Sequence, residues 1–279
     1  QREWFSKHLE VKYDYIFMIV GRNLDIEGFC AFISEQKEAK KILYLWDDAA
    51  RIDNIDEKEK LFDRIISFDK SDCDKYGFEF IPLFYLEEYR YDNEPKDIDI
   101  LFAGSSHSGR LEFVERLFDN SSINEYKWFI KFVVSKPRLI ANMLRLHNRK
   151  ISKYLTSKNM SVVESSQLLK RSRVDIDIPH LGQNGLSIRM AEALASHTKV
   201  VTTNPEVLNY SFYNADNILV INTKSSFIPD EFIKTSYVEV DPELVELYSV
   251  NTWVKAVFGL IDNPHYSLYS NKRGTGYDL

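Results

Sequence analysis

The stretch Val174–Asn204, VDIDIPHLGQNGLSIRMAEALASHTKVVTTN, decides the fold. An apolar strand runs over Val174–Ile178, a loop carries Gly182 and Gly185, an amphipathic helix spans about Leu186–Ala195, and Lys199–Thr202 forms a second strand that leads to Asn204. Strand, Gly-bearing loop, helix and strand in so short a run make a βαβ unit. Ligands of open α/β sheets collect beyond the carboxyl ends of the strands, which here is the loop Pro179–Gly185.

Two charged residues give that loop chemistry. Arg189 falls in the first turn of the helix, where the macrodipole is positive and a cation is mildly unfavourable, so its presence points to a nearby anion such as a phosphate. Glu192 follows three residues later on the same face, with a carboxylate free to accept hydrogen bonds from vicinal hydroxyls such as those of a ribose. The competing reading is an Arg189–Glu192 surface ion pair worth a few tenths of a kcal/mol.

At these residues the chain resembles a family. Asn184-Gly185-Leu186-Ser187, Glu192-Ala193-Leu194-Ala195 and Lys199-Val200-Val201-Thr202-Thr203-Asn204 are similar to the donor-site segment of GT-B glycosyltransferases, closest to bacterial transferases that build lipopolysaccharide and capsule. The resemblance implies an α/β fold of two Rossmann-like doubly wound domains. It implies a Gly-Leu loop under the donor phosphates and Glu192 on the nucleotide ribose. The family pattern carries another Glu eight residues before that one; here the position is Asn184, so its contact to the sugar or phosphate differs and retaining chemistry does not follow. With His180, which either donates to the phosphate or caps the loop, the donor-binding set is His180, Asn184, Gly185, Leu186, Ser187, Arg189, Glu192 and Asn204.

Composition is that of a water-exposed globular chain: 279 residues, 44% hydrophobic and 28% charged, net charge −6. That length holds two medium domains. Two cysteines, Cys30 and Cys73, argue against a disulfide framework and for a reducing compartment. No apolar run approaches the ~20 residues of a membrane span, and QREWFSKHLE has no signal-peptide core. A cytoplasmic protein is expected, working at the inner face of the cytoplasmic membrane if its acceptor is lipid-linked. The chain starts without Met, and an N-terminal domain lacking its first βα unit is the expectation.

From the N-terminus, Tyr15–Val20 is a continuous apolar run suited to a strand buried on both faces. Helix Ile26–Lys37 and strand Ile42–Trp46 follow, the latter ending at Asp47 and Asp48. A carboxylate at a strand's carboxyl end faces the ligand cleft, which makes Asp47 and Asp48 the candidate catalytic bases; the alternative is that Asp48 caps a helix starting at Ala49-Ala50. Glu57–Phe62 and Lys70–Tyr76 read as helices, and Arg64–Phe68 and Glu79–Pro82 as strands. The polar, irregular Leu83–Asp97 reads as a linker, so the expected domains are 1–92 and 98–262, with 263–279 a tail.

Asp99–Ala103 opens the second domain and runs into Gly104-Ser105-Ser106-His107-Ser108-Gly109-Arg110 before a helix, Leu111–Phe118. Small residues between strand and helix let backbone N–H groups approach an anion, and Ser105, Ser106 and Arg110 add donors. By resemblance this loop touches donor phosphate or acceptor; His107 is a further acid or base candidate. From Lys127 to Arg173 there are 12 Lys/Arg and one acidic residue, Glu164. Within it a basic helix over 138–153, with Arg145, Arg149 and Lys153 in an i, i+4 row, either rests on anionic lipid or covers the sheet. Asn217–Ile221 reads as a strand, and Pro229–Ile233 and Pro242–Ile261 as helices. The last, broken near Ser249–Asn251, is expected to cross back to the first domain, as the resemblance implies.

The reading is a glycosyltransferase that moves a sugar from a nucleotide-activated donor to a growing glycan or lipid-linked glycan, with no cofactor besides that substrate, no metal site and no nucleic acid partner. A sugar-nucleotide epimerase on the same architecture and a non-catalytic partner of a polysaccharide assembly complex are the alternatives.

Overall fold

Short apolar segments separated by helices leave each strand no antiparallel neighbour within reach of a tight turn, so the strands pair in parallel. In the computed structural model, described over residues 1–106, 109–120, 125–145 (side chains of 142–145 excepted), 149–180, 182–224, 227–265 and 269, every strand pair is parallel. The chain divides into two units, Gln1–Pro82 with Trp253–Ser267, and Leu83–Thr252 with Leu268–Leu279.

The first unit holds α1 (Arg2–Lys7), β1 (Tyr15–Ile19), α2 (Ile26–Ser34), β2 (Lys40–Leu45), α3 (Ile55–Glu59), β3 (Arg64–Ser67), α4 (Lys70–Tyr76) and β4 (Glu79–Phe80). Its sheet has the order β1-β2-β3-β4. Only β2 and β3 are flanked on both sides, and their residues Ile42, Leu43, Tyr44, Leu45 and Ile66 are fully buried. The expectation that Tyr15–Val20 is buried on both faces is corrected: β1 is an edge strand, its residues half-buried and Ile19 45% exposed. It ends in Val20 and Gly21, both at positive φ (76° and 71°), a conformation easy for glycine and strained for a β-branched residue.

The second unit contains β5 (Ile98–Ser105), α5 (Arg110–Asp119), β6 (Trp128–Val133), α6 (Lys136–Arg145), β7 (Leu155–Thr156), α7 (Val162–Lys170), β8 (Ser172–Asp177), α8 (Ile188–Ala195), β9 (Lys199–Thr202), β10 (Ile218–Val220), α9 (Asp230–Lys234) and α10 (Pro242–Glu246). Its sheet order is β10-β9-β8-β5-β6-β7. The strand order reverses between β5 and β8, which is the switch point of a Rossmann-like sheet. On one face Ile100, Phe102, Phe132, Val174, Ile176 and Val201 pack with Leu111, Val114 and Leu117 of α5 and Phe232 and Ile233 of α9. The alternate residues of β8, Asp175 and Asp177, therefore point to the other face, where α8 lies against β8 and β9.

Helix α11 (Val250–Val257) begins in the second unit, and from Trp253 onward the chain joins the first. There Trp253 packs edge-on to Tyr44 at 4.9 Å, and Arg64 donates to the Val257 carbonyl at 2.6 Å and the Ala256 carbonyl at 3.2 Å, a cation closing a helix C-terminus. Leu83–Asp97, read as linker, clusters with the second unit: the Tyr91 N–H donates to the Ala195 carbonyl at 2.9 Å and the Ser196 hydroxyl to the Tyr89 carbonyl at 2.8 Å.

The expected basic helix over 138–153 is also corrected. Helix α6 ends at Arg145, residues 146–148 lie outside the described residues, and Lys150–Tyr154 is a 3₁₀ turn whose Ile151 is fully buried in the core. Arg149 pairs with Glu115. Arg145, Arg149 and Lys153 thus form no continuous helical row. No described helix is long and apolar enough to cross a membrane.

Candidate functional site

The loop after β8 is held from both ends. Asn204 caps the 3₁₀ turn Pro205–Asn209 by accepting from the Glu206 N–H at 3.0 Å, while its Nδ2 donates to the carbonyls of Asn184 at 3.0 Å and Gly185 at 3.4 Å. Gln183 Nε2 also donates to the Gly185 carbonyl, at 2.9 Å. Gly185 and Leu186 are buried, Asn184 is exposed and His180 is half-buried. Helix α8 starts two residues later than the sequence reading, with Ser187 at the N-cap. The Ser187 hydroxyl does not cap the helix; it donates to Asp177 at 2.8 Å, and Thr202 donates to the other oxygen of that carboxylate at 3.1 Å.

Beneath the loop lies a buried charge layer. Arg189 donates to the Ala103 carbonyl, and its guanidinium stands 3.8 Å from Asp175 and 4.0 Å from Glu192. Asp175 is 1% exposed, both its oxygens lack a hydrogen-bond partner among the described residues, and burial pushes its carboxyl up to about 7 against the pull of Arg189. Burial likewise raises Glu192, which Arg189 and a hydrogen bond from the Tyr89 hydroxyl oppose. Two expectations are corrected here. The anion that Arg189 answers is the protein's own, Asp175 with Glu192, and the Glu192 carboxylate is 10% exposed rather than free. Such a pair is a buried network, and its geometry is far from the surface ion pair that spacing alone allowed.

At the switch point the two loops meet through one side chain. Arg110 Nε donates to the Ile178 carbonyl at 2.6 Å and Nη1 to the Ser105 hydroxyl at 3.3 Å. Ser105 and Ser106 line an open cavity of about 330 Å³ at the carboxyl ends of β5, β6 and β7, together with Lys136, Arg138 and Ser157. His107 lies outside the described residues.

In the first unit, Asp47 pairs with Arg22 at 3.2 Å. Asp48 precedes the 3₁₀ turn Ala49–Arg51 without a side-chain cap bond and pairs with Arg51 at 3.2 Å; the Ala49 N–H is taken by Asp72 instead, at 2.7 Å. Asp48 Oδ1 is buried with no partner among the described residues. Burial pushes this carboxyl up to about 6, opposed by Arg51 and reinforced by Asp69 and Asp72. Among the described residues no three His, Cys, Asp or Glu side chains are grouped to hold a metal ion.

Sequence reasoning missed Asp175, Asp177 and Tyr89. The signal was the alternation Val174-Asp175-Ile176-Asp177-Ile178, which places both carboxylates on one face of a strand read only as apolar.

No protein-family model and no curated protein matches the sequence. Solved structures do match in fold. Anabaena HepE in complex with UDP-glucose superposes with a TM-score of 0.63 at 8% identity, over 92% of this chain and 80% of that one. Sucrose-phosphate synthase from Thermosynechococcus elongatus gives 0.60 at 13% identity, over 92% and 74%. A Listeria monocytogenes protein assigned as a UDP-N-acetylglucosamine 2-epimerase gives 0.50 at 10%, over 94% and 78%. Of the chain in a GtfA/B complex that it also matches, this chain spans 58%. With two parallel α/β sheets and these structural neighbours, the chain has the GT-B glycosyltransferase-like fold.

Proposed function

We propose that the protein is a glycosyltransferase that binds a nucleotide-activated sugar at the β5/β8 switch point and passes the sugar to a bacterial surface glycan, lipopolysaccharide or capsule. The observation that carries this reading is the Arg110 bridge, which brings the Ser105-Ser106 loop and the Pro179–Ser187 loop together where Rossmann-like sheets take nucleotides. Arg110, the Ser105 and Ser106 hydroxyls and the amide end of α8 meet the charge of the departing phosphate. Gly185, Leu186 and Asn184 shape the loop over it, with His180 at its entrance. Glu192, held beside Arg189, takes the ribose hydroxyls when the loop admits the donor, and Asn204 fixes the loop's height. Asp48, with one oxygen unpartnered among the described residues and a carboxyl that burial pushes up to about 6, is the base that deprotonates the acceptor, and Asp47 stays with Arg22. The acceptor is a glycan or lipid-linked glycan presented at the inner face of the cytoplasmic membrane.

The test is a thermal-shift panel of CMP, UDP, GDP and dTDP on the wild type, Arg110→Ala and Glu192→Ala. A nucleotide at about 100 times its Kd adds about 2.7 kcal/mol to stability, and each substitution is expected to weaken affinity about tenfold or more. Folded protein that no nucleotide stabilises sinks the donor site. An epimerase remains the second reading because the Listeria neighbour shares the fold. It predicts conversion of a UDP-sugar with no acceptor present, where a transferase leaves donor unchanged until acceptor is added.

A further inference from the structure

The amino-terminal edge of the second sheet, opposite the donor loops, holds a cavity of about 230 Å³ lined by Lys96, Arg173, His197, Lys199, Thr235 and Ser236 together with Tyr91, Tyr237 and Glu239. Three of its cations come from the starts of neighbouring strands: Lys96 leads into β5, Arg173 begins β8 and Lys199 begins β9. Arg173 and Asp177, at the donor edge, are four steps apart along β8, about 13 Å of extended chain.

The donors here outnumber their partners among the described residues. Lys96 spends two of three ammonium protons, on the Ser196 carbonyl at 2.9 Å and Thr198 Oγ1 at 3.0 Å. Lys199, 1% exposed, likewise spends two, on the Phe232 carbonyl at 3.0 Å and Thr235 Oγ1 at 2.5 Å. Arg173 pairs with Asp99, 3.3 Å from Nε, and also lines the cavity. Acidic groups nearby are Asp99 on Arg173, Asp216 close to Lys199, and Glu239 at the rim, 3.3 Å from His197 Nδ1. Of these only Glu239 lines the cavity, and its side chain is 73% exposed. His197 sits at φ 49°, its ring stacked between Tyr91 at 4.7 Å and Tyr237 at 5.1 Å, which makes one wall rigid. Burial and the charge of Arg173 hold Lys96 down to about 7, and burial lowers Lys199 as well. Such a cluster is uncomfortable without an anion among its cations.

We infer that this pocket is a second binding site, for a phosphate group held by Lys96, Arg173 and Lys199 with the Ser236 hydroxyl completing its shell; the Thr235 hydroxyl is spent on the Glu231 carbonyl and only positions Lys199. The charge-assisted donors suit a tetrahedral oxyanion, and the volume admits inorganic phosphate or a small phosphate monoester. The site is independent of the donor reading, since no residue is shared.

The experiment titrates inorganic phosphate, and separately glucose 6-phosphate, at constant ionic strength into the full chain with UDP saturating, and reads the thermal midpoint. A saturable rise of about 3–5 °C that Lys96→Met abolishes supports the site; a lower midpoint concentration for the sugar phosphate identifies a monoester as the ligand, and equal values identify free phosphate. Ser236→Asp, an exposed substitution that puts a carboxylate into the shell, is expected to remove the shift without disturbing the fold, so the test stands even if Lys96→Met does not fold. No shift up to 50 mM of either probe, or a shift unchanged in Ser236→Asp, overturns the proposal.

Discussion

Asp48 and Asp177 both stand at or just past the carboxyl end of a parallel strand, yet their surroundings differ. Asp177 is sealed: Ser187 and Thr202 donate to its two oxygens and Arg110 lies close by. Asp48 keeps a buried oxygen without a partner among the described residues and a carboxyl raised to about 6. Strand position makes a carboxylate a candidate for chemistry, and the count of its donors separates a structural carboxylate from a reactive one. Asp177 organises the loop above it; Asp48 retains proton-transfer capacity.

The contrast can be broken in four ways. Asp48→Asn is expected to lower the sugar-transfer rate by about 10²–10⁴-fold, the range of general-base catalysis, while changing stability by less than about 1 kcal/mol. Steady-state kinetics beside a denaturant titration decides this, and a variant that transfers sugar at the wild-type rate removes Asp48 from the chemistry. Arg189→Met strands Asp175 and Glu192 without their cation and is expected to cost about 3–5 kcal/mol, or about 10 °C in Tm. Asp177→Ala leaves the Ser187 and Thr202 hydroxyls without an acceptor and should cost about 2–3 kcal/mol in the same denaturant titration. The last effect is in pH, and it is smallest when counted per pH unit. Asp175, raised to about 7, binds its proton more readily folded than unfolded, so the stability it contributes is complete below about pH 4 and is lost as pH rises through 7. Asp175→Asn should flatten the fall in unfolding free energy between pH 5 and 7.5 by up to about 1.4 kcal/mol per pH unit, measured by urea titration at each pH.

Much of the fold was legible because local pattern and tertiary demand agreed. Lys70–Tyr76 and Lys199–Thr202 have the expected bounds, with Asp69 accepting from Ser71 as the helix cap in the first case. Helix α7 was missed, although Ser161 and Glu164 form a reciprocal capping box; the basic run around Glu164 drew attention to charge and away from that spacing. Tyr15–Ile19 has the composition of a central strand and the place of an edge strand, because apolarity reports burial and carries no strand order. The site was legible as a loop and a pair of charges, not as a network. Arg189 and Glu192 were found by helical spacing, whereas their counterparts Asp175 and Tyr89 come from a strand and from a segment about a hundred residues upstream of the helix, a proximity that only tertiary folding creates.

Asn204 grips the loop after β8 through the carbonyls of Asn184 and Gly185, groups that every residue type supplies. Gln183 adds a side-chain bond to the same Gly185 carbonyl, so it is the exposed side chain at 184 that is separable from the path of the backbone that bears it. Natural drift or a randomised library can vary that position at little structural risk, provided Asn204 is kept, because Asp in its place would lack the amide protons that hold the loop.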